Sequence, residues 1–474
     1  MKKSQLDKGS AEYKEGTRFI VVLTVLGLLF LSIVIYLTYL ELWGKDKFMD
    51  NAFNQRQWEQ EENTLRGEIL DRDGERIAYS EYNAEGKQKR IYPYGSLYSH
   101  VIGYNSRVYG KSQLELNYNK NLAGMSGFTT FSLKGEKTGE TLHLTVSHKL
   151  QKRASEMLGK NTGAVVAIEP ATGEVLCLYS YPNFDPTDDA LSKNWDSLSA
   201  NENAPFLPRA TRGLYAPGST MKTIWAGAAI ENGLENIEFH DEGKIEVDGK
   251  TFNNAHKKAY GDINLKQAFG VSSNAAFIEL GLELGEDIMK SYAKKFMLNQ
   301  NEKFELYTEP SDFGYSGKMS KTEVASAAIG QGKVLVTPLH MAMVCAAVAN
   351  RGVMMQPYIT EKSVGSNGIV TVSGKSAILG RVLEPSTAAT LREYMINVVQ
   401  NGTGKNAAIS GVTVAGKTGT AETGADMSDH SWFIGFAPAE NPTIAVAVVL
   451  EHGGAGGGAS AAPIAREVIK SWLQ

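Results

Sequence analysis

A stretch of 22 positions from Phe19 to Leu40 contains no charged residue. A helix needs about 20 apolar residues to cross the hydrocarbon layer of a bilayer, so this stretch predicts a membrane-spanning helix. A buried core helix is the alternative, but such helices rarely remain apolar on every face over this length. A cleaved signal peptide also fits poorly, because Glu-Leu-Trp-Gly-Lys follows where a small-x-small cleavage site is expected.

Basic residues are distributed unevenly around this apolar stretch. Many precede it and few follow it closely: Lys2, Lys3, Lys8, Lys14 and Arg18 lie before it, and Lys45 and Lys47 after it. Cytoplasmic flanks of membrane helices are enriched in Lys and Arg, which places the N-terminus in the cytoplasm. We therefore predict a cytoplasmic tail at 1–18, a transmembrane signal anchor at 19–41, and a single-pass protein of the cell membrane whose catalytic part is extracytoplasmic.

Residues 42–150 are polar, tyrosine-rich and irregular. Short strand-like pieces occur at Glu68–Leu70 and Thr141–Val146, and turn signals separate them. The pattern predicts an extended spacer domain between the membrane and the rest of the chain.

Regular patterns begin at Gly163. Two strand-like runs, Ala164–Ile168 and Glu174–Ser180, flank a Glu-Pro-Ala-Thr-Gly turn and predict a hairpin. Helical patterns fill the middle of the region, at Thr220–Glu231, Leu265–Phe269, Ala275–Leu284, Pro338–Asn350 and Ser386–Val399. Three strand-like runs and a closing helix follow, at Thr413–Glu422, Trp432–Phe436, Thr443–Glu451 and Ala461–Leu473. Strands on both sides of a helical middle predict an α+β fold, in which one antiparallel sheet is assembled from both ends.

Composition changes this picture little. The net charge of −4 is spread over mixed acidic and basic residues, and no basic stripe with interleaved aromatic residues indicates nucleic-acid binding. The eight histidines lack metal-ligand spacing, so we predict no metal and no cofactor. Cys177 and Cys345 lie in apolar stretches and are interpreted as buried small residues. The run Gly453–Gly458 lacks a following Gly-Lys-Ser/Thr and is interpreted as a flexible loop, not a phosphate loop.

One segment suggests nucleophilic chemistry. Ala-Pro-Gly-Ser-Thr-Met-Lys places Ser219 at the start of a predicted helix and Lys222 three residues later, on the same helix face. A serine hydroxyl needs an adjacent base. Lysine, with an ordinary pKa of about 10.4, serves as that base only when burial, a helix N-terminus or a second cation lowers its pKa. The pair predicts acyl transfer through an ester on Ser219, provided that another positive group lies near Lys222.

Ser272-Ser273-Asn274 lies between two predicted helices. The Ser272 hydroxyl is suited to relay a proton, and the Asn274 amide is suited to hold a substrate amide in the same cleft. Helix capping is the alternative interpretation of such a turn.

Lys417-Thr418-Gly419-Thr420 lies within a predicted strand. Lys417 is a candidate for the second cation that a neutral Lys222 requires. Thr418 and Thr420 carry hydroxyls that suit a substrate carboxylate, and Gly419 lets a substrate lie close to the strand.

Chain order separates these motifs from similar patterns elsewhere. Ser192-Lys193-Asn194, Ser199-Ala200-Asn201 and Lys137-Thr138-Gly139 all precede Ser219. Only the set above gives Ser-x-x-Lys, then Ser-x-Asn, then Lys-Thr-Gly, which is the signature of serine enzymes that handle penicillin.

With these motifs in order, the chain resembles the class B penicillin-binding proteins, the monofunctional D,D-transpeptidases of bacterial cell-wall synthesis. The resemblance extends to further segments and covers nearly the whole chain, at Arg66–Gly74, Gly163–Ser180, Ile329–Gly332 and Ser431–Pro438. One departure is Gln113-Leu114-Glu115, where the family often has Gly-Leu-Glu. The resemblance implies a penicillin-binding, serine β-lactamase-like transpeptidase domain at 151–474, with helices on both faces of its antiparallel sheet. It also implies an elongated pedestal of the dimerisation type at 42–150.

The resemblance also implies residue roles. Ser219 would be the nucleophile and Lys222 its base, with Ser272 and Lys417 completing the proton relay. Substrate would be bound by Asn274, Thr418, Gly419 and Thr420, with an oxyanion hole formed by the N–H groups of Ser219 and Thr420. The implied partners are peptidoglycan stem peptides ending in D-Ala, β-lactam antibiotics as inhibitors, and a SEDS-type glycan polymerase.

Two other functions stay open at this point. A D,D-carboxypeptidase or a β-lactam-hydrolysing enzyme would use water as the acceptor, although the anchor and the pedestal disfavour a β-lactamase. A non-catalytic penicillin-binding scaffold or sensor belongs to another class of protein. No motif residue is lost, and a tail at 1–18 leaves no room for a cytosolic output domain.

Overall fold

The computed structural model describes residues 11–39, 61, 64–125, 138–301, 303–424 and 427–474, with side chains from Thr17 onward. The chain divides into two units, Met1–Gln60 and Glu61–Gln474. Most of the predicted cytoplasmic tail at 1–18, together with Lys45 and Lys47, lies outside the residues whose side chains are described.

The described part of the first unit is a long helix, α1 (Ala11–Tyr39). Its segment Thr17–Tyr39 has a mean hydropathy of 2.9, and none of it is buried. The hydroxyls of Thr24, Ser32 and Thr38 donate to carbonyls of their own helix, each at 2.8 Å, so they need no external partner. The helix is long and apolar enough to cross a membrane, as the sequence predicts.

The second unit begins with short elements. Its strands up to residue 144 are β1 (Ile69–Leu70), β2 (Arg76–Tyr82), β3 (Gln88–Ile91), β4 (Asn105–Ser106), β5 (Gly110–Lys111) and β6 (Thr141–Leu144). Its helices in the same region are α2 (Ser99–Ile102), α3 (Gln113–Asn117) and α4 (Asn119–Leu122), with a 3-10 turn at Gly95–Tyr98.

Longer helices and strands follow from residue 148. The helices are α5 (His148–Leu158), α6 (Asp188–Ser199), α7 (Arg209–Arg212), α8 (Lys222–Glu231), α9 (Leu265–Val271), α10 (Asn274–Lys295), α11 (Lys321–Ala328), α12 (Pro338–Ala349), α13 (Pro385–Gln400) and α14 (Ala461–Leu473). The strands are β7 (Gly163–Ile168), β8 (Val175–Tyr181), β9 (Glu238–Asp241), β10 (Lys244–Val247), β11 (Lys250–Asn253), β12 (Gly261–Asn264), β13 (Val353–Met355), β14 (Thr360–Val364), β15 (Val370–Ser373), β16 (Ile378–Arg381), β17 (Ala415–Ala421), β18 (His430–Ala437) and β19 (Ile444–Leu450). Further 3-10 turns occur at Gly218–Met221, Ala255–Lys257 and Lys405–Ala407.

The first sheet has six strands in the order β15-β14-β6-β1-β2-β3. Strand β1 pairs parallel with β6, and the other neighbours pair antiparallel. Two of its strands, β14 and β15, come from residues 360–373, far beyond the predicted pedestal at 42–150. Local patterns predict a strand but not its partner, so this contribution was not predictable from the sequence.

At the departure from Gly-Leu-Glu, Gln113 adopts a backbone conformation that glycine would adopt more easily. Gln113 has φ 51°, a left-handed conformation that favours glycine. Two residues further on, Glu115 is fully buried, and its carboxylate accepts from Nε of Arg66 at 2.6 Å and Nε of Arg90 at 2.7 Å. Burial alone would raise the pKa of Glu115, but the two guanidinium groups hold it below its ordinary value. The buried network is therefore present although the glycine is not.

The second sheet is antiparallel, with the strand order β17-β18-β19-β7-β8. Its hairpin β7–β8 comes from the beginning of the region and its other strands from the end, as predicted. Alternate residues face opposite sides, because successive side chains on a strand point to opposite faces. Val446 and Val448 pack with α5 and α14, whereas Ala447 and Val449 belong to the main core with α8 and α12. The predicted α+β sheet with helices on both faces is confirmed, and both cysteines are free and buried.

Candidate active site

Ser219 lies in the 3-10 turn Gly218–Met221, which leads directly into α8. Gly218 has φ 53°, and its N–H donates to the carbonyl of Gly330 at 2.9 Å. From the sheet, Nε1 of Trp432 donates to the carbonyl of Ala216 at 3.0 Å. The turn is therefore held from two sides, while the half-buried Ser219 hydroxyl makes no hydrogen bond within the described part of the chain.

Lys222 is the first residue of α8 and is completely buried. Its Nζ lies within hydrogen-bonding distance of three acceptors: the carbonyl of Ser272 at 2.9 Å, the carbonyl of Ser273 at 3.1 Å and Oδ1 of Asn274 at 2.8 Å. The ammonium form donates to all three, and the neutral amine donates to two of them and keeps a lone pair. The first two predicted motifs therefore meet at one amine.

Ser272 adopts φ 61° as the left-handed end of α9, and α10 begins two residues later. This backbone conformation points its hydroxyl and its carbonyl toward two different lysines. Its Oγ accepts from Nζ of Lys417 at 2.9 Å, and its carbonyl accepts from Lys222. Three segments that are distant in sequence thus converge on Ser272.

The two lysines share an unusual electrostatic environment, because both are fully buried. Burial and the nearby Lys417 hold the pKa of Lys222 well below its ordinary value, although Asp241 raises it. Burial lowers the pKa of Lys417 to about 7. The second cation that a neutral Lys222 requires is therefore in place, and a lysine of this kind can serve as a general base near neutral pH.

Strand β17 carries the third motif along the edge of the second sheet. Lys417 turns inward, while Thr418 and Thr420 line the cleft. A Cβ at residue 419 would lie 2.9 Å from the carbonyl oxygen of Pro217 and 3.0 Å from Cβ of Trp432, so Gly419 permits close packing behind the cleft. An edge strand leaves one row of backbone N–H and C=O groups unpaired, which can bind an extended peptide.

These motifs open into a cleft of about 990 Å³, lined among others by Ser219, Ser272, Asn274, Thr418 and Thr420. The chemistry available there is acyl transfer to a serine, with a buried amine as the base, a hydroxyl between two lysines, and hydroxyls suited to an anionic substrate group. Among the described residues, no group of His, Cys, Asp or Glu is arranged to hold a metal ion.

Sequence reasoning missed several residues that line or support this cleft. Oγ1 of Thr403 lies 2.5 Å from Oγ1 of Thr418. The glycine run, interpreted above as a flexible loop, has a defined position: a Cβ at Gly457 would lie 1.9 Å from the carbonyl oxygen of Trp432, and one at Gly458 2.3 Å from that of Thr403. The run therefore forms one wall of the cleft, and only its repeated small residues could have suggested close packing.

The other matching patterns lie elsewhere. Ser192 and Asn194 belong to the surface helix α6, and Ser199 ends it. Ser291 and Lys294, a second Ser-x-x-Lys, lie on α10 with both residues exposed. Of the other Lys-Thr-Gly pattern, Lys137 lies outside the described residues. Burial and a helix start distinguish the motif at Ser219 from these.

Comparison with known proteins identifies the enzymes that share this arrangement. Residues 163–470 match the penicillin binding protein transpeptidase domain, and residues 66–139 match the penicillin binding protein A dimerisation domain. The chain belongs to the class B penicillin-binding proteins. It is a serine-type peptidoglycan D,D-transpeptidase.

Curated relatives support the assignment over most of their length. The peptidoglycan D,D-transpeptidase PbpA of Mycolicibacterium smegmatis is 33% identical over 477 residues, covering 92% of this chain and 95% of the relative. The peptidoglycan D,D-transpeptidase MrdA of Acinetobacter baumannii is 31% identical over 449 residues, covering 82% of this chain and 66% of the relative.

Solved structures share the fold. The ceftriaxone acyl-enzyme complex of penicillin-binding protein A from M. tuberculosis is 31% identical, with a TM-score of 0.83 over 87% of this chain and 99% of that chain. The D,D-transpeptidase domain of a peptidoglycan glycosyltransferase from Eggerthella lenta is 36% identical, with a TM-score of 0.79 over 87% of this chain and 98% of that chain.

The packing of Gly330 behind the turn Gly218–Met221, which we call the nucleophile turn, gives a testable prediction. Gly330 and Gly233 have φ +69° and +80°, so replacement by alanine introduces similar backbone strain at both positions. At Gly330 the new Cβ would lie 2.1 Å from the carbonyl oxygen of Gly218, whereas nothing lies within 4 Å at Gly233. We expect Gly330→Ala to slow penicillin acylation at least about tenfold, equivalent to about 1.4 kcal/mol, because it displaces the residue before Ser219.

The control for this prediction is Gly233→Ala, which carries the strain without the collision. Both variants are compared with the parent in acylation rate and in melting temperature. Equal acylation rates in the two variants would show that Gly330 does not support the nucleophile turn.

Proposed function

We propose that this enzyme cross-links peptidoglycan stem peptides through an acyl-enzyme on Ser219. The family establishes the class of enzyme, and we propose the roles of its individual residues. The observation that supports them is the convergence of Lys222 and Lys417 on Ser272, with bonds of 2.9 Å from each amine. A structural role alone does not explain two fully buried lysines with so few compensating charges.

In the acylation step, Oγ of Ser219 attacks the carbonyl of the penultimate D-Ala. The neutral amine of Lys222 accepts the hydroxyl proton, an ester bond forms, and the peptide C–N bond to the terminal D-Ala breaks. The leaving amine takes up a proton from the Ser272 hydroxyl. Lys417 orients that hydroxyl and replaces its proton. Atoms and charge balance without a metal or cofactor, because Lys222 gains one proton as Lys417 gives one up, and the second step reverses both transfers.

Substrate binding is assigned to the edge strand β17 and to Asn274. The hydroxyls of Thr418 and Thr420 bind the terminal carboxylate, and Gly419 between them lets the strand pack closely against the turn that carries Ser219. The N–H groups of Ser219 and Thr420 form the oxyanion hole. Asn274 donates from Nδ2 to the carbonyl of Asn253 at 2.9 Å, which leaves its second Nδ2 proton for a substrate carbonyl.

In the second step an amine from a neighbouring stem peptide attacks the ester and forms the cross-link. A β-lactam occupies the donor position and leaves a long-lived acyl-enzyme on Ser219. We also propose that α1 holds the N-terminus in the cytoplasm and the transpeptidase outside, and that the anchor and pedestal contact a SEDS-type glycan polymerase. The excess of basic residues before the apolar stretch Phe19–Leu40 supports the orientation.

The proposed transfer is tested with purified full-length protein and a stem peptide ending in D-Ala-D-Ala. We expect one D-Ala released for each peptide dimer formed, because the acceptor amine outcompetes water at the ester. Release of D-Ala without any dimer, even with the polymerase partner present, would instead identify a D,D-carboxypeptidase. Absence of both products, with intact penicillin labelling, would favour a non-catalytic penicillin-binding protein.

A further inference from the structure

Asp241, the last residue of β9, is a buried carboxylate with a relative exposure of 2%. Its Oδ1 accepts from the N–H of Gly243 at 2.7 Å, and its two oxygens accept from Nδ2 of Asn254 at 2.8 and 2.9 Å. Its Oδ2 also accepts from the hydroxyl of Ser273 at 2.5 Å. Within the described part of the chain all of these donors are neutral, so no cation contacts this buried charge directly.

Asn254 connects the carboxylate to the start of α10. Its Oδ1 accepts from the N–H of Asn274 at 2.7 Å and of Ala275 at 3.0 Å, while Ser273 caps the N–H of Ala276 at 3.0 Å. The three N–H groups at the N-terminus of α10 are thereby satisfied by side chains. We call Asp241, Asn254 and Ser273 the clamp.

Ser273 joins the clamp to the proposed base. Its hydroxyl donates to Asp241, and its carbonyl accepts from Nζ of Lys222 at 3.1 Å. Asp241 therefore lies two hydrogen bonds from Lys222. The charged group that faces Lys222 from β17 is Lys417. The titratable groups near Asp241 are its sequence neighbours His240 and Glu242, together with Tyr260.

We propose that Asp241 is a positioning residue that balances the charge of the Lys222–Lys417 pair, so that the pair holds one proton. The proposal rests on the proposed function of the two lysines. Two ammonium groups buried together with one carboxylate would leave an excess positive charge, and two neutral amines would leave an unbalanced Asp241. One ammonium and one neutral amine leave the site neutral, with both a base and an acid present.

The electrostatics of the site agree with this assignment. Burial and Lys417 lower the pKa of Lys222, and Asp241 is the named group that raises it. Without the carboxylate, the pair would lose its shared proton at a lower pH. The base would stay neutral, but the ammonium needed to protonate the leaving group would be depleted at neutral pH.

The test is the pH dependence of penicillin acylation by Asp241→Asn in the full-length protein. We expect the parent profile to be bell-shaped, rising as Lys222 becomes neutral and falling as Lys417 loses its proton. In Asp241→Asn both limbs should move about one pH unit toward lower pH, because an opposite charge near a lysine favours its ammonium form. Rates are expressed per molecule that titrates with penicillin, so partial unfolding does not distort the profile.

Two further variants separate charge from structure. Asp241→Glu keeps the charge and is expected to restore the parent optimum. Asn254→Ala removes two bonds to α10 and the contact of Nδ2 with both oxygens of Asp241, but it leaves the formal charge of the site unchanged, so it should slow acylation and leave the optimum in place. A slowed Asp241→Asn with an unmoved optimum, or a moved optimum in Asn254→Ala, would overturn the proposal. Either result leaves the transpeptidase assignment intact, since the parent enzyme still forms its acyl-enzyme.

Discussion

Ser219→Ala is expected to abolish covalent labelling by a fluorescent penicillin. The acyl group needs an oxygen nucleophile at this position, and alanine removes that atom alone. Ser219 is half-buried and its hydroxyl makes no hydrogen bond within the described chain, so the fold should not change. Removal of the nucleophile in a serine hydrolase costs a factor on the order of a million in turnover, which places residual labelling below detection.

A matched control lies in the same chain. Ser291 also begins a Ser-x-x-Lys pattern, but both it and Lys294 are exposed on α10. Ser291→Ala should label like the parent protein, with an unchanged melting temperature for all three proteins. Undiminished labelling of Ser219→Ala would mean that another residue carries the acyl group, and the roles proposed for Lys222 and Ser272 would fail with it.

The catalytic motifs were recognisable in the sequence because each lies where the local pattern changes. Ser219 precedes a helix that starts after Pro-Gly, and Ser272 lies between two helices as the residue that ends the first of them. Lys417 lies in a predicted strand of small residues that the structure buries, where a lysine is unexpected unless it has a partner. Chain order then selected one set of motifs, and the structure brings Ser272 and both lysines together.

Other supporting residues were hidden from the sequence because their contacts are long-range. Asp241 and Asn254 lie on strands and turns that show no catalytic pattern, and they reach the site only when this region folds against α10. The contact of Thr403 with Thr418 depends on where the loop after α13 passes β17. The hairpin of β14 and β15 joins the first sheet for the same reason, since register and partner are set by the assembled fold.

Lys222→Met is expected to slow penicillin acylation by about 10²–10⁴-fold, the usual contribution of a general base. Methionine matches the length of the lysine stem, so the buried site stays filled. The substitution leaves the carbonyls of Ser272 and Ser273 and Oδ1 of Asn274 without their shared donor. Each unsatisfied acceptor costs about 1–3 kcal/mol, so melting temperature is measured beside the rate.

Lys294→Met is the control, because Lys294 occupies the same place in the second Ser-x-x-Lys pattern and is exposed. It should acylate at the parent rate.

The pH profile of acylation distinguishes a general base at Lys222 from a residue that only stabilises the structure. Burial and Lys417 hold the pKa of Lys222 well below its ordinary value, so the amine is neutral above that lowered pKa and protonated below it. The parent rate should therefore rise with pH through the lowered pKa of Lys222, and this rise should disappear in Lys222→Met. A variant that is slower at every pH but keeps the same acidic limb would show that a group other than Lys222 takes the proton from Ser219. The convergence on Ser272 would then describe packing and not proton transfer.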